Sequence, residues 1–381
     1  MAKEEKSKGK PSLDSAKNVE ENVKPLKPTF HKPAIICIGE YPIKILLEGD
    51  LVKQDASLYI FIDKSSEDIA RWSQSVLNPD NILGVDLNID THFWFQVMPS
   101  ITTDGVLIGR LKNKPIDSLR GAVIVSSLWD GVSSGLLPVL ISQLKESNTN
   151  TLVFGVLPSE KQVSDAHFNA FSSMGLCVSE GFASILLLDR DQLESYVGVD
   201  KNGSVLKGDV FFNYLLEIIA AKEKIVQELS ELSRAFNVRI YTVLSATGAS
   251  FGIYGSIENI LNSALSRSFL KFDLASASVV YVLLRLPRQF KEKLSKRKIE
   301  LEISSWFKEK AKLQTTFLSE PIYVEDVNDR IDLVMLVGGF DTTEIFTTME
   351  KKAKTIKSFV AKKGLLKENE WKAITKSLGI T

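Results

Sequence analysis

The 381 residues leave room for two domains of ordinary size, and 44% hydrophobic with 25% charged residues is the make-up of a globular protein. Lys and Arg number 47 and so do Asp and Glu, so a formal net charge of zero excludes the overall basic field of a nucleic-acid binder. No run approaches the roughly 20 apolar residues of a membrane helix, and the lysine-rich start has no apolar core, so a cytoplasmic protein is expected.

Residues 1–33, rich in Lys, Glu, Ser and Pro, read as a disordered tail. Short apolar or β-branched runs then recur at 34–38, 58–62, 121–126, 151–156 and 184–188, with helix-like segments clearest at 68–77, 135–145 and 164–174. This alternation predicts a doubly wound, mostly parallel α/β sheet over 34–208. Its ligand site would lie at the carboxyl ends of the strands, where Gly39 and the 129–135 loop fall. From Asp209 onward, Phe212, Leu215, Leu216, Ile219, Ile225, Val226, Leu229 and Leu232 keep helical spacing without Gly or Pro. That predicts one long central helix over 209–236, about 40 Å in length. Strand-like runs at 239–244, 278–284, 320–324 and 333–337, with helices at 257–265 and 296–311, predict a smaller α/β domain over 237–345. Residues 346–381 read as a basic tail ending in a short amphipathic turn that carries Trp371, Ile374 and Leu378. Cys37 and Cys177 sit in apolar runs as buried thiols, and three scattered histidines argue against a metal centre.

The stretch from Gly121 to Leu144 joins a β run, a Gly/Ser turn and a helix start, the layout of a phosphate-cradling loop. Gly131-Val132-Ser133-Ser134-Gly135 also fits the G-x-S-x-G nucleophile elbow. That chemistry needs an acid and then a histidine downstream; only His167 follows, with Asp165 two residues before it, so a serine hydrolase is set aside.

The same loop resembles the signature of the tubulin/FtsZ superfamily, GGGTGTG between a strand and a helix beginning AAPV. Here Trp129 to Gly135 stand in the loop and Leu136-Leu137-Pro138-Val139 in the helix, with two of five glycines kept. Further segments match in order: Gly248 to Gly255 is similar to GSALMGIG, 262–270 to the helix and turn after it, 275–280 to GARGVL, and Gly339-Phe340-Asp341 to a closing GFD. The resemblance covers roughly 34–345 and is nearest to divergent archaeal FtsZ-like proteins. It implies a GTP or GDP pocket touching Gly39, Gly131, Ser133, Ser134, Gly135 and Asn213. It also implies head-to-tail self-association in cell division or cell shape, and a C-terminal tail that binds a membrane tether or division protein.

The family's catalytic loop, N-x-D-x-x-D, becomes Asn237, Arg239 and Thr242, so both carboxylates are replaced and little or no GTP hydrolysis is expected. Acids appear instead in the phosphate loops, at Glu40 and Asp130. In a head-to-tail filament Arg239 would face Glu40 and Asp130 of the next copy, an ion pair in place of the nucleotide bridge. A solvated loop arginine is the alternative. Two further functions stay open at this point: a GTP-binding, slowly hydrolysing polymer, and a nucleotide-independent protein-binding module.

Overall fold

The computed structural model describes residues 32–49, 59–73, 77–86, 89–114, 116, 120–325 and 328–380. The tail expected over 1–33 lies outside these apart from Lys32 and Pro33, as does Leu58 at the head of the second expected strand.

Strand β1 (Ala34–Ile38) runs through Gly39 into α1 (Glu40–Glu48), followed by β2 (Tyr59–Asp63), α2 (Ser66–Ser73) and the short β3 (Ile82–Gly84). Helices α3 (Trp94–Asp104) and α4 (Val106–Lys112) lead to β4 (Ala122–Ser127) and α5 (Gly131–Glu146). Then come β5 (Thr151–Leu157), α6 (Ser164–Glu180), β6 (Ser184–Asp189) and α7 (Arg190–Ser195). A hairpin of β7 (Val197–Val199) and β8 (Val205–Lys207) precedes α8 (Gly208–Ala220) and α9 (Ile225–Phe236). After these lie β9 (Ile240–Ser250), α10 (Phe251–Tyr254), α11 (Ile257–Leu265), β10 (Val279–Pro287) and α12 (Lys296–Ala311). Strands β11 (Thr316–Leu318), β12 (Ile322–Val324) and β13 (Arg330–Gly338) and helices α13 (Thr343–Lys362) and α14 (Glu368–Ser377) complete the described chain.

All strands but β7 and β8 form one 11-stranded sheet in the order β11-β10-β13-β9-β6-β5-β4-β1-β2-β3, with β12 also on β10. Strands β1 to β6 and the β6–β9 pair are parallel; β13 runs antiparallel to both β9 and β10. One sheet thus passes through both 34–208 and 237–345, joined where Ile185 pairs with Ile240 and Leu186 with Tyr241. Every residue of β4 and β5 is buried, because helices cover both faces; this is why these strands read as continuous apolar runs rather than alternating ones.

Two expectations are corrected. The central helix is two helices: α8 ends at Ala220 and α9 starts at Ile225, with a turn between them. Lys222 N–H donates to Ile219 O and Ile225 N–H to Lys222 O, while Glu223 pairs with Arg120 at 3.2 Å and Lys222 with Glu228 at 3.9 Å. The apolar period continues across the break, and these charge contacts with neighbouring segments are not visible in it. The 346–381 segment is no free tail either, since α13 and α14 pack on α6. The Trp371 ring stacks on Phe168 (centroids 5.8 Å apart) and tilts against Phe171 (5.1 Å), and Ile374 and Leu378 are buried with it. The lysines face out and conceal a folded hairpin.

Candidate functional site

The strand order β3-β2-β1-β4-β5-β6 reverses direction of growth between β1 and β4, which opens a crevice at their carboxyl ends. Gly39 follows β1 there, and the Trp129–Asp130 turn follows β4. Gly39 holds φ +92°, which glycine alone adopts without strain, and its N–H donates to Ile62 O of β2 at 3.0 Å. Pro42 in the first turn of α1 has no N–H to offer, so this first loop presents few donors to an anion.

The second loop is filled by its own acid. Asp130 is the N-cap of α5: its Oδ1 accepts from the Ser133 N–H at 2.7 Å, and its Oδ2 accepts from the Ser133 and Ser127 hydroxyls, each at 2.7 Å. Ser133 Oγ also lies 3.2 Å from Ile38 O, and Ser134 Oγ donates to Asp130 O. Burial pushes the Asp130 carboxyl above its usual range, opposed by these hydrogen bonds. The cluster closes on Gly39, where an added Cβ would sit 2.1 Å from Ser133 Oγ and 3.1 Å from Asp130 Oδ2. Gly131 and Gly135 serve packing: a Cβ on Gly131 would lie 2.2 Å from Thr91 O, and one on Gly135 2.9 Å from Trp94 O, so both let α5 approach α3 and the turn before it. Ser133 and Ser134 are fully buried, which also removes Ser133 as a nucleophile.

Outside this plug lies a cleft of about 630 Å³ between α1, α2, the β2 end, the Trp129–Val132 turn, α7 and the start of α8. Its described lining holds six carboxylates (Glu40, Glu48, Asp63, Asp68, Asp130, Asp209) against three cations (Lys44, Lys64, Arg190). The Arg190 guanidinium stands 5.0 Å from the ring centroids of both Tyr41 and Trp129, and the Tyr41 hydroxyl donates to Asp209 Oδ1 at 3.1 Å. Asp63 is 91% buried at the end of β2. Burial pushes its carboxyl up to about 7, helped by the charges of Asp130, Glu40 and Asp68 and opposed by a hydrogen bond from the Lys64 backbone. The sequence reading missed Asp63, Arg190 and Asp209. The signal for Asp63 was present, since an acid closes the apolar run YIFID at a strand's carboxyl end beside the switch point.

The other expected site residues are dispersed. Asn213 does not reach the cleft; its Nδ2 donates to Ile45 O at 2.8 Å and holds α8 against α1. Glu40 is exposed and pairs with Lys44. Asn237 is the αL cap that ends α9, with φ +51°. Thr242 does not face a neighbour as a catalytic-loop position would; it is fully buried in β9 and donates to Leu187 O at 3.0 Å. Arg239 leads into β9, half-exposed, with Nη1 3.4 Å from Phe182 O, at the opposite end of the sheet from the cleft. Asp130, with both oxygens engaged inside its own loop, is not available to Arg239 of another copy. The described residues contain no His, Cys, Asp and Glu grouping able to hold a metal and no helix long and apolar enough to cross a membrane.

No family model matches the sequence, and no curated protein is significantly similar to it. Solved structures are similar. CetZ from Methanosaeta thermophila strain DSM 6194 matches with a TM-score of 0.66 at 14% identity, over 90% of this chain and 97% of that one. CetZ1 from Haloferax volcanii, a GDP-bound monomer, gives 0.65 at 16% identity over 85% and 99%. CetZ2 from the same organism, a GTPγS-bound protofilament, gives 0.62 at 16% identity over 86% and 99%.

Proposed function

The chain has the fold of the tubulin/FtsZ superfamily, to which the archaeal CetZ proteins belong, and from that premise we propose a self-associating cytoskeletal scaffold with little or no GTP hydrolysis. The observation that carries this reading is the Asp130 side chain seated on the first turn of α5, where it takes the Ser133 N–H and the Ser127 and Ser133 hydroxyls that could otherwise meet a phosphate. A phosphate about 4 Å from the ionised carboxyl would be repelled by up to about 4 kcal/mol at an effective dielectric near 20, and burial, which favours the neutral carboxyl, lowers that figure. The acidic cleft adds to the repulsion, and Ser133, Ser127 and Asp130 pack closely against Gly39. At the other end of the sheet Asn237, Arg239 and Thr242 supply a helix cap, a cation and a buried hydroxyl. Loss of a positioned acid or base removes about 10²–10⁴ in rate.

Self-association is supported by the protofilament form of CetZ2 and by the placement of Arg239 and the acidic cleft at opposite ends of a parallel sheet. In a head-to-tail contact Arg239 would meet Glu40 at the cleft rim. Charge reversal in Arg239→Asp is expected to reduce pelleting of assembled protein, most strongly at low salt, with recovery in Arg239→Asp/Glu40→Arg. Unchanged pelleting of Arg239→Asp would sink this contact.

A second reading, a GTP-binding polymer that hydrolyses slowly, is favoured by the size of the cleft and by the GDP in CetZ1. It requires saturable GTP binding, which the first reading does not.

A further inference from the structure

Charge is unevenly spread along this neutral chain: residues 351–380 hold nine lysines, two acids and no arginine. Helix α13 sorts them. Lys351, Lys354, Thr355, Ser358, Phe359 and Lys362 follow at helical spacing and are all exposed, so they form one outward face whose exposed carboxylate, Glu344, is confined to the first turn of the helix. Met349, Ala353 and Val360 are buried on the other side. At the end of α13 the N–H groups of Lys363 and Leu365 donate to Phe359 O (3.2 Å) and Val360 O (3.0 Å), which closes the turn toward α14. The Lys363 ammonium lies 4.6 Å from the Phe359 ring centroid. Phe359 and Leu365 remain 51% and 52% exposed in that turn. Lys352 and Lys357 are tied to Glu160 and Glu368, whereas Lys351, Lys354, Lys362 and Lys363 form no ion pair among the described residues.

We propose that the outer face of α13 and the turn after it bind the surface of an anionic lipid bilayer, with Phe359 and Leu365 entering the headgroup region and the lysines meeting acidic headgroups. Trp371, Ile374 and Leu378, the apolar face of the tail expected to bind a tether, are used up in docking α14 on α6; the exposed apolar pair lies at the end of α13 and in the turn before α14. Lipid fits this surface better than nucleic acid. Recognition of phosphate or base edges at fixed geometry favours the arginine fork, which is missing here, and two exposed apolar side chains amid exposed lysines suit a fluid surface. None of the described helices is long and apolar enough to cross the bilayer, so the contact is peripheral.

The test is co-sedimentation of the whole chain with vesicles of phosphatidylcholine and with vesicles of phosphatidylcholine and phosphatidylglycerol in equal parts. Binding is expected only with the anionic vesicles and is expected to weaken with salt. The bound-to-free ratio should fall about tenfold in both Lys362→Glu/Lys363→Glu and Phe359→Ser/Leu365→Ser. Lys293→Glu/Lys308→Glu, the same charge change on another exposed surface, should bind as the parent does. Thermal melts establish that each variant is folded, and the single exchanges Lys362→Glu and Leu365→Ser serve if a double variant melts early. Equal binding to neutral vesicles, retention by the apolar variant, equal loss in the control, or tighter binding to a DNA oligonucleotide would each overturn the proposal.

Discussion

Asp130 and Asp63 show how one residue can change what a loop does. Asp130 was legible in the sequence as an acid in a phosphate loop. Its inward turn was not, because whether an N-cap side chain faces its own helix or a ligand depends on what stands opposite, here Ser127 and Gly39. The glycines were legible as close-approach positions, but two of the three approach α3 and the turn before it rather than an anion. Asp63 gives a prediction in pH. Its carboxyl titrates near 7 when folded and near 3.9 when unfolded, so between these values the folded chain holds a proton that the unfolded chain has released. The stability linked to this carboxyl is therefore fully present below about pH 4 and is lost as pH rises through about 7, by at most about 1.4 kcal/mol per unit. Asp63→Asn should gain on the parent in urea unfolding at about pH 8 relative to about pH 5; a constant difference would contradict the assignment.

Elements were read best where burial imposes a pattern. The strand at 34–38 and the helices at 257–265 and 296–311 agree with the structure residue for residue, and the other expected strands to within three positions, except that the one expected at 239–244 runs on to Ser250. The failures share a cause: a contact distant in sequence overrides local composition. No glycine or proline marks the break between α8 and α9. Lysine-rich composition hides α13 and α14, whose apolar positions make sense only against Phe168 and Phe171 of α6. Trp371 is 5% exposed, so Trp371→Ala should cost about 3–5 kcal/mol and release α14. Urea unfolding would report the loss, and limited trypsin digestion should cut early at Lys367 and Lys372. An unchanged midpoint and cleavage pattern would mean that α14 is not held by this stack.

For the whole molecule, the order of elements and the segments after α9 were enough to read the fold, because their agreement in sequence and spacing survives the erosion of each motif. Function was less legible, since it depends on where a few polar side chains point at the two ends of the sheet. We propose that assembly is uncoupled from GTP, because Asp130 caps the first turn of α5 and residues 237–242 carry no carboxylate. Sedimentation of the purified chain with and without GTP and Mg²⁺, with released phosphate assayed in the same tubes, tests it most directly. Equal pelleting in both conditions with no phosphate released is the expected result; pelleting that requires GTP and is accompanied by phosphate release would contradict the proposal.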